Sequence, residues 1–375
     1  MNIVMVTNSA SYEPRAEKVG QYFQKLGHNV LWLESDFIHR EKRKGRSPKA
    51  NHRYVDTVVY KKNLSFRRLY SQYDFARKVF RILKNEPVDL LYVMIPANSL
   101  ARTAIKLKKV LHTKVVLDII DMWPESLPVK GVETLWPLRC WRRLRDDNLG
   151  HADLVFTECG LYKRLLGLKP EEAVTLYWPK NAEVCECVFQ KDENCMHVAY
   201  LGSVNNIIDM NAITEILGEV NRSKKVKLHI VGDGEKREAF LESLNQKGID
   251  AEYYGLVYDE TKKQEIFSRC SYGINIMKPG VCVGLTMKSI DYFCYGLPLI
   301  NNIQGDTWEL VEQYGIGINC IGDSYKKCAL DILLRTDALL QKRELIQKLY
   351  NQYFTVEAME RVLGKNVLPL LEQEG

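Results

Sequence analysis

Apolar residues fall along this chain in two alternating rhythms. "NIVMVTNS", from Asn2, is a short apolar run that ends in polar residues, as a buried strand does. The following "RAEKVGQYFQKLGH" spaces its apolar positions at helical intervals and closes on Gly27, a residue suited to a helix C-terminus. "NVLWLESD", "VDLLYVMIP", "KVVLDIID" and "ADLVFTEC" read as further strands, with "SLARTAIKLKKVLH" as a helix among them. This alternation predicts a parallel sheet covered by helices. From His197 the rhythm starts afresh. Strands "HVAYLGS", "KLHIVGDG", "AEYYGLV" and "YGINIM" alternate with helices "MNAITEILGEV", "KREAFLESLNQKG" and "ETKKQEIFSRC", and the stretch from Tyr325 to Leu371 reads as helical throughout.

The expected architecture is therefore α/β, with two facing Rossmann-like domains, ligands at the carboxyl ends of the strands in an interdomain cleft, and a helical C-terminal segment. The domains are expected at 1–178 and 179–350, joined within "VTLYWPKNAEV", with 351–375 as a helix packing back on the first. A length of 375 residues suits two domains, and 46% hydrophobic with 27% charged residues describes a globular protein rather than a disordered one. No apolar run reaches the about 20 residues that cross a bilayer. The opening "MNIVMVTNSA" has no signal pattern, so cytoplasmic placement is expected and the ten cysteines read as thiols. Cys185, Cys187 and Cys195 lack the paired spacing of a zinc site.

Candidate chemistry gathers at three places. In "AYLGSVNNIIDM", Gly202 and Ser203 end a strand before a helix, where backbone N–H groups and a helix dipole receive phosphate; the plain alternative is a tight turn. "IVGDG" repeats the device at Gly232, Asp233 and Gly234, where Asp233 could equally cap the next helix. In "GLTMKSIDYFCYGLPLI", Lys288 and Asp291 stand one helical turn apart in an apolar, glycine-punctuated setting. A cation for phosphate beside an acid for vicinal hydroxyls suits a nucleotide sugar, and the competing reading is an i,i+3 salt bridge.

These residues resemble a known family. "YLGS", "IVGDG", "YYGLVYDE" and "MKSIDYFCYGLPLI" occur in the order of the donor half of GT-B glycosyltransferases of family 4, whose late motif runs Lys-x-x-Glu-Tyr-x-x-x-Gly-x-Pro. "VVLDIIDMWPESLP" is similar to the Asp-x-Trp-Pro-Glu segment of members that build bacterial surface polysaccharides. The resemblance implies transfer of a sugar, with retention of configuration, from a nucleotide sugar, UDP-linked by default, to a lipid-linked glycan acceptor. It implies Lys288 as the diphosphate contact, Asp291 as the ribose contact in place of glutamate, and Gly202 with Ser203 as a phosphate cradle. Gly232, Asp233, Gly234, Val257, Thr286 and Ser289 complete the donor set. Tyr292, Gly296 and Pro298 are expected to be architectural.

Three positions depart from the pattern. Val283 stands where many members have a glutamate, no cation follows Gly202, and Ile120 replaces a histidine before Asp121. Asp121 is the expected catalytic acid beside Lys288, Glu125 an acceptor-side acid, and Asp118 lies behind them; capping a turn is the plain alternative for Asp121. With no Asp-x-Asp motif, neither metal nor other cofactor is expected. The alternatives are a transferase acting on protein glycans, a sugar-nucleotide 2-epimerase, and a partner subunit that has lost its chemistry.

Charge adds one feature. Between Arg40 and Arg81, fourteen lysines and arginines face three acids, a local +11 against +6 for the whole chain. No nucleic-acid motif accompanies them. With the interleaved Tyr54, Tyr60, Phe66, Leu69, Tyr70 and Tyr73, the segment is expected to rest peripherally on anionic lipid, the alternative being an ordinary solvated loop.

Overall fold

Every residue of "LLYVMI" is buried, which a strand achieves only inside a sheet covered on both faces. The computed structural model describes residues 1–126, 131, 135–180, 189–322 and 324–372. The chain forms two units, Met1–Pro179 with Val356–Gly375, and Lys180–Thr355. Each is a parallel α/β sheet with helices, as the alternation predicts.

In the first unit the strands are β1 (Asn2–Thr7), β2 (Asn29–Ser35), β3 (Phe37–Ile38), β4 (Arg43–Lys44), β5 (His52–Val55), β6 (Leu90–Ile95), β7 (Lys114–Ile119), β8 (Leu154–Thr157) and β9 (Val174–Thr175). Seven of them form the sheet β5-β2-β1-β6-β7-β8-β9, parallel throughout, while β3 and β4 make a small antiparallel pair. The chain leaves β1 toward β2 and later returns on its other side at β6. This reversal of strand order opens a crevice at the carboxyl ends of β1 and β6. The terminal helices Val356–Asn366 and Leu368–Glu372 belong to this unit. Met359, Leu363, Val367 and Leu371 enter one core with Val19, Phe23 and Trp32, and Glu360 pairs with Lys25 at 2.6 Å.

One carboxylate is sealed within that sheet. Asp118 of β7 accepts from Arg15 Nε at 2.8 Å, from a second guanidinium nitrogen of Arg15 at 2.9 Å, and from the Tyr92 hydroxyl at 2.8 Å. Arg15 and Asp118 have no side-chain exposure, and Arg15 also donates to the Leu176 carbonyl at 2.8 Å, tying its helix to three strand ends.

The second unit contains β10 (Cys195–Leu201), β11 (Lys225–Val231), β12 (Asp250–Gly255), β13 (Tyr272–Asn275), β14 (Leu299–Asn301) and β15 (Gly317–Asn319). Their order, β12-β11-β10-β13-β14-β15, reverses between β10 and β13. The stretch expected to be helical throughout is made of the helices Tyr325–Leu340, Arg343–Tyr353 and the two terminal helices.

The cysteine reading needs a correction. Cys320, just after β15, and Cys328, in the first turn of Tyr325–Leu340, form a disulfide with 5.6 Å between their Cα atoms. A scatter of cysteines along a chain does not reveal a strand end folded against a helix start. Cys195 opens β10, whereas Cys185 and Cys187 lie outside the described residues, as do the junction residues to Val184 and Pro128 of the "WPESLP" segment.

The sealed Arg15–Asp118 pair generates a stability prediction. Asp118→Asn leaves a guanidinium without its counter-charge in the core, and denaturant unfolding should show a loss of about 3–5 kcal/mol. A loss under about 1 kcal/mol, the range of an exposed pair, would refute a sealed one.

Candidate functional site

At the reversal in the second unit the backbone itself closes the site. A Cβ on Gly232 would stand 2.0 Å from the Gly202 carbonyl oxygen, and one on Gly234 would stand 2.3 Å from that of Val204. Gly232 also holds φ +140°, a region where side chains are strained. The turn after β11 thus nests on the turn after β10, joined by Gly202 N–H to Val231 O at 2.8 Å and Val204 N–H to Asp233 O at 3.1 Å. Gly232 N–H donates to Gly255 O at 2.8 Å. The Ser203 N–H has no partner among the described residues and its side chain is exposed, so Ser203 is the part of the expected cradle left to meet a ligand.

The helix expected at "MNAITEILGEV" begins at Met210, capped by Asp209, which accepts from Ala212 N at 3.0 Å. Six loop residues after Ser203 move that dipole away. Asp233 accepts from Gly234 N at 2.8 Å and pairs with Arg237 at 3.4 Å, so it caps its turn and brings a guanidinium there. The pattern reading missed Arg237. Its signal was a cation three residues after "GDG", at the first position of a helix.

Lys288 lies on the helix Met287–Cys294, whose start is fixed by a buried polar knot. Thr286 caps it, accepting from Ser289 N at 3.1 Å, and Asn275 at the end of β13 donates to Thr286 Oγ1 at 2.7 Å and Ser289 Oγ at 2.8 Å. Thr286 and Ser289, expected among the donor contacts, spend their hydroxyls on this knot. The Tyr292 hydroxyl accepts from Leu201 N at 2.8 Å and lies 3.2 Å from the Ala199 and Ile274 carbonyls, pinning β10 to β13.

The knot presents the Lys288 ammonium at the ends of those two strands. Nζ is buried without a hydrogen-bond partner, 4.8 Å over the Tyr200 ring, and its Cε would be 3.7 Å from a Cβ on Gly202. Burial lowers its pKa to about 8.

Lys288 and Asp291 share a helix but not an ion pair. Asp291 instead binds Lys180, whose Nζ also approaches Glu260 at 3.5 Å. Burial pushes the Asp291 carboxyl up, and the Lys180 charge works against that rise. Val257 is half-buried beyond β12, between exposed Leu256 and Tyr258. Val283 packs against the core of this unit.

In the first unit, Asp121 follows β7 and lines a concavity at the β1/β6 reversal with Ser9, Tyr12, Tyr60, Arg68 and Gln72. It accepts from Ser126 Oγ at 2.7 Å and from the Tyr12 hydroxyl at 3.4 Å. Glu125 faces elsewhere. The buried Arg145 clasps it at 2.6 and 3.4 Å, a structural pair that also includes Asp146 at 2.8 Å. Ile120 is core. Among the described residues, Glu13, Glu34 and His52 have metal-ligand types within reach of one ion, but Arg46 and Lys49 already pair with these acids.

No family model matches the chain, and no curated protein matches it in sequence. Solved structures do match it in fold. The lipopolysaccharide outer core galactosyltransferase WaaB in its apo form superposes with a TM-score of 0.71 at 15% identity, covering 98% of this chain and 99% of that one. A glycosyltransferase from Rickettsia africae gives 0.68 at 13%, covering 100% and 99%. Anabaena Alr3699/HepE in complex with UDP-glucose gives 0.65 at 13%, covering 98% and 100%. At these identities the likeness defines the fold, which is GT-B.

The unpaired ammonium sets a pH dependence. The native lysine loses its proton at a lower pH than an exposed lysine near 10.5. The unfolded chain therefore binds more protons between about 8 and 10.5, and this group makes stability rise with pH across that window. An anion bound against Lys288 would restore the charge. Binding of such an anion in this window, probed with sulfate, should take up a proton and weaken as pH rises. Calorimetry in buffers of different ionisation heat measures the uptake, and Lys288→Met should abolish it.

Proposed function

We propose that this chain is a glycosyltransferase that moves a hexose-type sugar from a UDP-sugar to a glycan acceptor with retention of configuration. The observation that carries the reading is the buried, unpartnered Lys288 ammonium beside a glycine turn at the reversal of strand order. An uncompensated buried charge is costly, and an anionic ligand is what relieves the cost. Lys288 would receive the diphosphate with the Ser203 N–H. Asp291 would accept the ribose hydroxyls while keeping Lys180, since a carboxylate has lone pairs for both.

In such a site the barrier falls through stabilisation of the departing diphosphate rather than through a strong base. The ammonium is a fixed positive charge in a poorly hydrated setting, where it interacts more strongly than in water. The leaving phosphate can take the acceptor's proton, which removes the need for the histidine that Ile120 replaces. Asp121 would orient the acceptor hydroxyl. The apolar Val283 gives the donor sugar no carboxylate contact, so sugar choice falls to other groups.

The acceptor is proposed to be lipid-linked, as in surface polysaccharide or glycoconjugate assembly, with the protein peripheral on a membrane face. No helix of the described residues is long and apolar enough to cross a membrane. Four cations of the basic segment already have partners within the protein. Lys44 pairs with Asp56 and Asp36, Arg46 with Glu13, Arg43 with Glu41, and Lys42 with Asn63. Support comes instead from the helix Phe66–Leu83, on which Phe66, Tyr70 and Tyr73 are 77%, 56% and 50% exposed at i, i+4 and i+7, with Leu64 and exposed Lys61 and Lys62 beside them.

Two measurements test this reading. Lys288→Met keeps most of the stem's volume and should lower sugar transfer from UDP-sugar by about 100-fold or more, as loss of one oxyanion donor does, with little change in fold. Full turnover in the folded variant would reject the assignment. Sedimentation with anionic vesicles should weaken in Phe66→Ser/Tyr70→Ser and persist when Lys42, Arg43, Lys44 and Arg46 are neutralised; the opposite ranking would move the contact to the basic loop.

A further inference from the structure

The concavity of the first unit has a polarity of its own. Arg68 stands on its wall with the guanidinium 4.4 Å over the Trp123 ring and one terminal nitrogen donating to Asn63 O at 3.0 Å. Its Nε is buried and has no partner. One helical turn on, Gln72 is only 2% exposed, and its Oε1 is also buried without a partner. The amide can present either its oxygen or its NH2 to the pocket, because its two ends are alike in shape.

The charged side chains lining this pocket are Arg68 and Asp121, and the groups around Arg68 add no negative charge on its own wall. His39 accepts at Nδ1 from the Tyr60 hydroxyl at 2.6 Å and from Lys42 Nζ at 3.3 Å, which makes it a neutral imidazole. Burial and the charges of Arg68, Lys42 and Arg40 lower its pKa to about 4. The lining carboxylate is Asp121, already engaged by Ser126 and Tyr12. A stacked guanidinium beside Tyr60 with an unpartnered Nε is positioned to meet an anion.

We propose that this pocket binds an anionic group of the acceptor, a carboxylate or a phosphate ester, against Arg68 and Gln72. The inference rests on the transferase reading in that it assigns the pocket's ligand to the acceptor, and it makes acidic acceptors the preferred class. Core packing does not account for two buried polar atoms, Arg68 Nε and Gln72 Oε1, left without a partner on one pocket wall.

The test uses the full chain carrying Lys288→Met, so that the donor-site cation cannot hold the probe. Calorimetry with glucuronate, with glycerol phosphate and with neutral glucose should show saturable binding of at least one anion and none of glucose. Glucuronate alone would assign an acidic sugar, and glycerol phosphate alone a carrier phosphate. Arg68→Gln should weaken anion binding about tenfold or more, the loss of a charge-assisted hydrogen bond. If that variant does not fold, Gln72→Met, which preserves volume, should weaken it by about threefold.

Unchanged affinity in the folded variant, equal binding of glucose, or no saturable anion binding overturns the proposal. UDP binding to the chain with Lys288 intact is measured separately. Its absence beside intact anion binding would sink the transferase reading alone, and the reverse would sink only this one.

Discussion

An ammonium held out of water without a counter-charge has to be forced there, and the second unit is arranged around that constraint. The Lys288 stem runs beside Gly202, where no side chain stands in its way, and the helix carrying it cannot rotate because its first turn is knotted to Asn275. Tyr292, one turn further, fastens the same helix to β10 and β13 through a single hydroxyl. Four buried polar groups therefore hold a fifth in an unfavourable state. Thr286, Ser289 and Tyr292 are satisfied within the knot, while Asn275 spends its NH2 group there and keeps an unpartnered Oδ1, as Lys288 keeps an unpartnered Nζ.

The acids of the first unit divide by burial and partner rather than by position in the motif. Asp118, Asp121 and Glu125 lie within eight residues, and each is a carboxylate near a strand end. Asp118 is neutralised by Arg15, and Glu125 by Arg145, both guanidiniums fully buried. Asp121 meets only hydroxyls, which orient a carboxylate without neutralising it. It is the one of the three whose charge remains directed to a pocket.

Much of this was legible in the sequence because parallel sheets write themselves as apolar runs. β1, β6, β7, β10 and β11 all stand where the runs stand, and "GDG" marks a turn that tolerates no Cβ. Shorter strands escaped for a physical reason. β14 and β15 have three residues each, too few for a period, and β5 is only four residues long and partly exposed. The helix Phe66–Leu83 was passed over because its exposed face carries aromatics and arginines together. Its buried face, Phe75, Ala76, Val79 and Leu83, is narrow beside them. Pairings such as Lys180 with Asp291 could not be read at all, since they join residues 111 positions apart.

The basic segment shows what a charge count leaves out. A run of fourteen cations suggests a surface offered to something negative, yet several of those charges are paired within the protein. Arg46 is nearly buried against Glu13 and Glu34, Lys49 bridges Glu13 and Glu17, and Lys78 bridges Asp74 and Asp56. The acids that meet Arg46 and Lys49 come from the Glu13–Lys25 helix and from β2, outside the segment counted. Long-range attraction depends on the charge that remains after such pairing, because paired charges largely cancel beyond a Debye length of about 8 Å. What the segment retains at its surface is the aromatic face of one helix with a few cations beside it. What it retains inside is Arg68, aimed at the pocket where Asp121 stands. The same stretch thus serves two environments, and the helix that separates them decides which residue faces which.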